Sequence, residues 1–311
     1  MHVLVTGGAG FIGSNLCRRL VVDDRITAVT VLDDFSTGSP DNLDGVDVEV
    51  IEGSILDEPE LAMAAAPADA IVHLAALASV PRSIADPVAS HAANATGTLT
   101  VLEQARRTGA SVVAASSSSV YGANPELPKH EHMATRPMSP YAASKLATEA
   151  YTNAYHHSYG MDTLAFRFFN VFGPYQPAGH AYAAVVPAFV DAALRGRPLT
   201  IYGDGTQSRD FTYVDTVTAV LADAVARRIS DPDPVNLAFG TRTDLLTLID
   251  RLEHHLGHPV ERDFQPARVG DVPHSQADGS RLHALFPDVM PTDVDDGLAA
   301  TIAWMRSVIP A

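Results

Sequence analysis

The chain has 311 residues, 46% of them hydrophobic, and a formal net charge of −16, which predicts a globular protein with a full core. The acidic balance argues against a nucleic-acid partner, because affinity for nucleic-acid phosphates depends on Lys and Arg. The single cysteine, Cys17, excludes an intramolecular disulfide and a Cys-based zinc site. Since no apolar run is long enough for a bilayer and residues 2–6 already read as a strand, we expect no membrane partner and a cytoplasmic location.

Short apolar runs alternate with helical patterns through the first half of the chain. The runs are bounded by polar or glycine turns, as buried parallel strands are, and they cover residues 2–6, 27–33, 47–52, 69–73, 111–116 and 162–167. Helical patterns lie between them at 11–22, 58–65, 88–108 and 140–158. The alternation predicts an α/β fold, with a doubly wound parallel sheet of the Rossmann type over residues 1–170.

The pattern loosens after residue 170, where prolines, arginines and aromatic residues interrupt it. Helices are predicted near 183–195, 214–228, 243–256 and 294–307. We expect residues 171–311 to form a smaller substrate-binding lobe. This lobe should be interwoven with the first, some of its segments returning to the nucleotide-binding domain.

A glycine-rich turn joins the first predicted strand to the first predicted helix. Gly7, Gly10 and Gly13 permit a tight turn and close approach to a pyrophosphate, which a helix N-terminus attracts electrostatically. The second strand ends in Asp33 and Asp34, about twenty residues further on. A carboxylate there accepts hydrogen bonds from the adenosine ribose and repels a 2′-phosphate, so the sequence predicts NAD rather than NADP.

A tyrosine and a lysine four residues apart supply the chemistry. Tyr141 and Lys145 share one helical face, and Lys145 is one of only two lysines in the chain, the other being Lys129. An ammonium beside a phenol stabilises the phenolate, so Tyr141 can act as a base. The serine row 116–119 ends a predicted strand and offers a hydroxyl to a substrate oxygen.

These motifs together resemble the extended short-chain dehydrogenase/reductase family, and within it the NAD-dependent nucleotide-sugar epimerases and dehydratases. The resemblance covers essentially the whole chain. The stretches that carry it are TGGAGFIG at 6–13, HLAA at 73–76, SSSSVYG at 116–122, SPYAASK at 139–145, RFFNVFG at 167–173, GDG at 203–205 and RDF at 209–211. The closest branch is that of the bacterial UDP-hexose 4-epimerases.

The resemblance implies a role for individual residues. Ser117, Tyr141 and Lys145 match the catalytic set, and Asn94 matches the asparagine that supports the lysine. The implied NAD-binding residues are Gly7, Gly10, Phe11, Ile12, Gly13, Asp33, Asp34, Ser36, Thr37, Gly38, Ser54, Ile55, Leu74, Ala75, Ala76, Asn94, Ser116, Tyr141, Lys145 and Phe168. The implied UDP-sugar-binding residues are Ser79, Arg82, Ser117, Ser118, Tyr141, Asn170, Ala184, Val185, Tyr202, Arg209, Arg268, Asp271 and Ser275.

Within that set, Arg209 and Arg268 resemble the arginines that clamp the diphosphate, Asn170 the residue that reaches the diphosphate, and Asp271 the uridine ribose ligand. The family also implies a homodimer that pairs through helices 88–108 and 140–158.

Ser118 and Ser119 bear on the reaction. The family's 4,6-dehydratases place an Asp-Glu pair after the catalytic hydroxyl, and its decarboxylases keep a Glu. With serines instead, the chain lacks the general acid that dehydration needs. We therefore expect a 4-epimerase that works through a transient 4-keto sugar.

The hexose is less sharply defined. Glucose-restricted relatives carry a tyrosine at the position of Ser275, so a serine leaves volume for an N-acetyl group, although it is equally compatible with an ordinary loop residue. Residues 78–83, 181–187 and 270–275 are similar to the branch of bacterial epimerases that act on UDP-N-acetylhexosamines and their uronic acids. Epimerases for UDP-glucuronic acid often carry an arginine after Gly173, where this chain offers Tyr175, Gln176 and His180. In the family, an aspartate meets the adenine where this chain has Ser54.

The sequence leaves two alternatives to a UDP-hexose 4-epimerase open. One is another UDP-sugar enzyme that oxidises C4 transiently: a UDP-glucuronic acid 4-epimerase, a C5-directed epimerase or a dehydratase. The other is a non-catalytic NAD(H)-sensing protein, against which the complete catalytic set argues. The histidine spacings predict no metal site.

Overall fold

The structure is a computed structural model that describes residues 1–178, 183–267 and 272–309. A parallel sheet lies at its centre. Strands of the described residues are β1 His2–Thr6, β2 Ala28–Asp33, β3 Glu49–Glu52, β4 Ala70–His73, β5 Ser111–Ser117, β6 Thr163–Phe168, β7 Asn170–Phe172, β8 Leu199–Tyr202, β9 Ser208–Arg209, β10 Phe211–Tyr213, β11 Val235–Leu237, β12 Thr243–Asp244 and β13 Arg262–Gln265. Helices are α1 Phe11–Leu20, α2 Glu58–Ala65, α3 Val80–Ala85, α4 Pro87–His91, α5 Gly97–Thr108, α6 Pro140–Tyr159, α7 Val185–Leu194, α8 Val214–Ala226, α9 Leu245–Leu256, α10 Ser280–Leu285 and α11 Val294–Val308.

The central sheet is doubly wound. Across the described residues its seven strands run in the order β11-β6-β5-β4-β1-β2-β3, and every neighbouring pair is parallel. The order reverses between β1 and β4, which places a crevice at the carboxyl ends of these two strands. The predicted Rossmann fold is confirmed.

Alternation along the strands sends side chains into two separate cores. Val3 and Val5 face helices α1 and α8 in one core. Leu4 faces helices α2 and α5 in the other. Both faces of the sheet are therefore covered, as a parallel sheet requires.

A second lobe has its own core, formed by helices α7, α9 and α11 around the parallel pair of β8 and β13. Two further two-stranded pairs, β7 with β10 and β9 with β12, lie where this lobe meets the first. The lobes are interwoven, because helix α8 and strand β11 follow residue 171 in the chain yet pack in the core of the first lobe.

Two elements differ from the sequence pattern. The helix predicted over 88–108 is divided by a π-helical turn at Ala92–Thr96 between α4 and α5. Strand β11 has only three residues, too few for a periodicity to register.

Cys17 is buried, which raises the pKa of its thiol to about 12, as an inert core residue requires. In the described part of the chain, no helix is long and apolar enough to span a membrane.

Candidate active site

The glycine turn after β1 is packed too closely for side chains. Gly7 has a φ of +72° and donates to the Leu32 carbonyl at 2.9 Å. A Cβ on Gly7 would lie 2.7 Å from the backbone nitrogen of Ala75, and one on Gly38 would lie 2.8 Å from the Ala9 carbonyl carbon. Gly13 is enclosed in the same way by the backbone of Gly7. These glycines let three chain segments meet at the crevice.

The N-terminus of helix α1 opens on this turn. Its N-cap residue is Gly10, so among the described residues this helix has no side-chain hydrogen bond from its N-cap. The first amides of a helix lack intrahelical partners, so those of Phe11, Ile12 and Gly13 are available to an anion. The helix dipole favours a pyrophosphate there.

Asp33 ends β2 beside this turn. Its two carboxylate oxygens each accept one backbone amide, from Ala9 and from Phe35, both at 2.9 Å. Burial raises the pKa of this carboxyl, while the two amides oppose that shift. Each oxygen keeps a further lone pair, so the carboxylate can also accept the hydroxyls of a ribose.

Further predicted cofactor residues lie at or after the carboxyl ends of β2, β3, β4 and β6. Asp34 is exposed and accepts from the Ser36 amide at 2.9 Å, and Thr37 and Gly38 continue that loop. Leu74, Ala75 and Ala76 follow β4, with the Leu74 amide bonded to Thr6. Ser54 accepts from the Leu56 amide at 3.2 Å, Ile55 is buried against Gly97, and Phe168 is buried at the end of β6. This cradle of glycines, free amides and a carboxylate fits NAD.

Tyr141 and Lys145 lie in the first two turns of helix α6. Ser139 caps this helix by accepting from the Ala142 amide at 3.1 Å, and Pro140 occupies its first position. The hydroxyl of Ser117, at the end of β5, accepts from the Ser119 amide at 3.2 Å and lies close enough to the Tyr141 phenol to lower the pKa of that phenol. The end of β5 and the start of α6 thus bring Ser117, Tyr141 and Lys145 together, and their catalytic roles stay a prediction.

Burial governs the protonation of both residues. It raises the pKa of the Tyr141 phenol, while the nearby Ser117 hydroxyl lowers it. Burial also lowers the pKa of Lys145 to about 8. The Lys145 ammonium donates to the Ala115 carbonyl at 2.8 Å, so the positive charge that favours a phenolate is held by the strand.

Asn94 lies within the π-helical turn, a feature frequent at functional sites. Its side chain accepts from the Leu77 amide at 2.8 Å and donates to the Ser144 hydroxyl at 2.9 Å. Ser144 in turn donates to the Tyr141 carbonyl at 2.8 Å. Asn94 is thus linked to the first turn of α6.

Several predicted substrate residues lie along the seam between the lobes. Asn170 and Arg209 are partly buried, Asn170 at the start of β7 opposite Phe211 of β10 and Arg209 at the end of β9. The Arg209 guanidinium donates to the Ser208 carbonyl at 3.0 Å. Ala184 caps helix α7, which begins at Val185, and Tyr202 ends β8.

The remaining ones lie on other loops. Ser79 caps α3 and accepts from the Arg82 amide at 3.3 Å. Ser118 is half-buried beside Ser117, and the Ser275 amide donates to the Ser208 carbonyl at 3.0 Å. Arg268, Asp271 and His180 lie outside the described residues.

Asp210 is a residue that the sequence pattern did not single out. It is fully buried, and its carboxylate accepts from the Gly240 and Ala277 amides at 3.0 Å and the Thr241 hydroxyl at 2.8 Å. Burial raises the pKa of this carboxyl to about 6. The sequence feature that points to Asp210 is its position in the motif RDF at 209–211. Asp210 ties together the loops next to Arg209.

Over the residues with described positions, no cluster of His, Cys, Asp and Glu could hold a metal ion. A dinucleotide cradle beside a half-buried tyrosine and a buried lysine instead defines the class: an enzyme that oxidises a substrate hydroxyl with a nicotinamide cofactor. A model of the "NAD dependent epimerase/dehydratase family" matches residues 3–238. The chain belongs to this family, which confirms the predicted family, the NAD cofactor and an enzyme of the epimerase type.

Relatives over the full length support the assignment. The chain is 36% identical to a UDP-glucose 4-epimerase of Mycolicibacterium smegmatis, with 99% of each chain covered. It is 36% identical to a solved UDP-N-acetylglucosamine 4-epimerase of Methanobrevibacter ruminantium, with a TM-score of 0.92 and 99% of each chain covered. A UDP-glucuronic acid 4-epimerase of Bacillus cereus, solved with its sugar nucleotide and NAD, is 29% identical, with a TM-score of 0.91, 99% of this chain and 100% of that chain covered.

Proposed function

We propose that the protein inverts C4 of a UDP-hexose, interconverting UDP-GlcNAc with UDP-GalNAc or UDP-glucose with UDP-galactose. The observation that carries this proposal is the cluster of Ser117, Tyr141 and Lys145. Serines occupy the two positions after Ser117, residues 118 and 119. Full-length relatives named as 4-epimerases agree with it.

The proposed reaction begins with proton removal at the sugar. Tyr141 accepts the proton of the C4 hydroxyl, and the Ser117 hydroxyl holds the same oxygen by a hydrogen bond. The buried Lys145 ammonium keeps positive charge near the phenolate. Bound NAD supplies the hydride acceptor and donor at C4. The 4-keto sugar then rotates within the site, so that the opposite face of C4 is reduced. Tyr141 returns the proton to the C4 oxygen.

Dehydration and decarboxylation are disfavoured by what surrounds Ser117. Ser118 and Ser119 are half-buried, and neither hydroxyl can protonate a leaving hydroxyl as a carboxylic acid does. Epimerisation needs no such acid, because the oxygen stays on C4.

The UDP moiety is proposed to bind between the two lobes. Asn170 begins β7, which pairs with β10, and Arg209 ends β9, two residues before β10 begins. The guanidinium fork of Arg209 suits a diphosphate. We propose the same role for Arg268 and a uridine ribose contact for Asp271, by resemblance.

Among the possible substrates, a neutral or N-acetylated hexose is favoured over a uronic acid. Tyr175 packs between the Arg18 guanidinium, 4.2 Å from its ring centroid, and the Trp304 ring at 5.2 Å. The side-chain nitrogen of Gln176 donates to the Val171 carbonyl at 3.2 Å. Neither side chain carries a charge to meet a carboxylate in the loop after Gly173.

A product assay tests this proposal. Purified protein is incubated with UDP-GlcNAc, UDP-glucose or UDP-glucuronic acid in turn, and the sugar nucleotides are separated by anion-exchange chromatography. We expect the C4 epimer of one of the first two sugars. In Tyr141→Phe, turnover falls by about 10²-fold or more while UDP-sugar binding persists. Conversion of UDP-glucuronic acid alone would overturn the proposed substrate.

The same assay separates the other readings. An eliminated product would identify a dehydratase. Bound NAD without turnover of any UDP-sugar would indicate a sensing protein. Unchanged turnover in Tyr141→Phe would remove that residue from the mechanism.

We also propose a homodimer formed through helices α5 and α6. Helix α6 exposes Ala143, Ala150, Tyr151 and Ala154 on the side away from Lys145, and Tyr151 is 40% exposed. A helix face of small residues with an exposed aromatic suits close packing against a second copy.

A further inference from the structure

The end of strand β5 contacts helix α6 through consecutive residues. The Ala115 carbonyl accepts the Lys145 ammonium at 2.8 Å. The Ser117 hydroxyl lies close enough to the Tyr141 phenol to lower the pKa of that phenol. Tyr141 and Lys145 are one turn apart on the helix, so both catalytic side chains depend on where this strand end lies.

Between these two contacts lies Ser116, which is 2% exposed. Its hydroxyl lies 3.1 Å from Oε2 of Glu149 and 3.4 Å from the Lys145 carbonyl. Glu149 is the next residue along the helical face, one turn after Lys145. The carboxylate therefore holds the strand residue that joins Ala115 to Ser117.

Arg167 fixes the orientation of Glu149. It is paired with Ser116 in the sheet register, and its guanidinium forms two hydrogen bonds with the carboxylate, Nε at 2.9 Å and Nη2 at 2.5 Å. The side chains of this ion pair are only 3% and 6% exposed. The guanidinium is itself held, because it donates to the Glu131 carbonyl at 3.1 Å and lies 4.7 Å from the Tyr121 ring centroid.

A buried ion pair of this kind is weak support for stability, since well-packed apolar residues often serve as well. What distinguishes this ion pair is its geometry. The two hydrogen bonds from the guanidinium fix the orientation of the carboxylate, and the carboxylate in turn fixes the position of the Ser116 hydroxyl. Directional control matters where reacting groups must be placed within a fraction of an ångström.

We infer that Glu149 is a positioning residue that, held by Arg167 and acting through Ser116, sets the geometry of Ser117, Tyr141 and Lys145. The inference rests on the proposed function, because it assigns that function's reacting groups their placement. The Glu149 carboxylate bonds Ser116 and Arg167, not the Ser117 hydroxyl or the Tyr141 phenol.

Ser116→Ala tests this inference while leaving the ion pair intact. The matched control is Thr163→Val, because the buried Thr163 hydroxyl also joins the sheet to α6, donating to the Thr152 carbonyl at 3.1 Å at the far end of the helix. We expect Ser116→Ala to lower kcat about tenfold at a KM within about twofold of the parent. Thr163→Val should keep its kcat. Equal kcat in the two variants would overturn the inference.

A second measurement needs no substrate. The chain has two lysines, Lys129 and Lys145, so protein labelled with ¹³C at the lysine Cε gives two side-chain signals in nuclear magnetic resonance, assigned with Lys129→Arg. Ser116→Ala should shift the Lys145 signal and leave that of Lys129 in place, while Thr163→Val should shift neither. An unmoved Lys145 signal would overturn the inference even if kcat fell.

The two tests fail separately. If the parent protein turns over no UDP-sugar, the proposed function fails, and the Lys145 signal still decides whether Glu149 and Ser116 position the site.

Discussion

His73 is a buried titratable residue whose protonation state follows from its hydrogen bonds. The Thr98 hydroxyl donates to the Asn94 carbonyl at 2.6 Å, so it accepts from Nε2 of His73, 3.1 Å away. Nδ1 of His73 then accepts from the Thr6 hydroxyl at 2.8 Å. Complete burial and the neighbouring Lys145 charge lower the pKa of His73 from 6.5 to about 3. The ring is neutral and links β1 to the π-helical turn.

This pKa predicts how stability depends on pH. As pH falls below 6.5, the unfolded chain protonates its histidine before the folded protein does, so the free energy of unfolding falls between pH 6.5 and about 3. His73→Gln, which cannot protonate, should show a shallower loss across that window. Urea unfolding at several pH values measures it. In the control His157→Gln, which alters an exposed side chain, the slope should be that of the parent, and an unchanged slope in His73→Gln would contradict the assignment.

Ser275 carries a prediction about substrate breadth. A tyrosine there would fill the volume that a 2-acetamido group needs, and overpacking costs about 1–3 kcal/mol, or a ~10- to 100-fold change in specificity. Ser275→Tyr should therefore depress kcat/KM for UDP-GlcNAc far more than for UDP-glucose. An equal loss on both substrates would show that Ser275 does not read C2.

At the residue scale, the local motifs were readable in the sequence and the long-range contacts were not. Gly7 and Asp33 occur at fixed spacings within one strand–turn–helix unit, so their roles follow from chemistry. Asp210 bonds to residues 30 to 67 positions away. Ser116 was predicted to bind the cofactor, and its hydroxyl here contacts Glu149. No local pattern indicates which distant partner a buried polar group will find.

Among the elements, the long helices and the first six strands were predictable because their hydrophobic periodicity extends over enough residues. The π-helical turn that holds Asn94 follows from packing rather than from periodicity. Strand β11 forms only because β6 offers it an edge, with Val235 paired to Phe166.

Helix α6 also carries a prediction about assembly. If α5 and α6 form the dimer interface, Ala150→Arg places an unpaired charge in its centre and should shift the protein to a monomer. The control is Ala299→Arg, an exposed position on α11 of the other lobe, which should leave the mass unchanged. Analytical ultracentrifugation measures both. A dimer that persists in Ala150→Arg would rule out this interface.

At the scale of the whole molecule, the interweaving of the lobes places the site. Helix α8 packs against α1 in the nucleotide-binding core, while strand β10, directly before it, pairs with β7 beside the second lobe. The predicted division at residue 170 follows the sequence pattern, but the chain returns across that point. Such returns depend on tertiary pairing, which the periodicity of one segment does not report.

The central claim is that hydride leaves C4 and returns to the same carbon of the same sugar. The direct measurement uses UDP-GlcNAc carrying deuterium at C4, incubated with the purified protein and no added NAD, with the product examined by mass spectrometry and nuclear magnetic resonance. We expect UDP-GalNAc that retains the deuterium at C4, with no accumulation of NADH. Loss of the label to solvent, uptake of solvent hydrogen at C5, or NADH formed in proportion to the sugar consumed would contradict the claim.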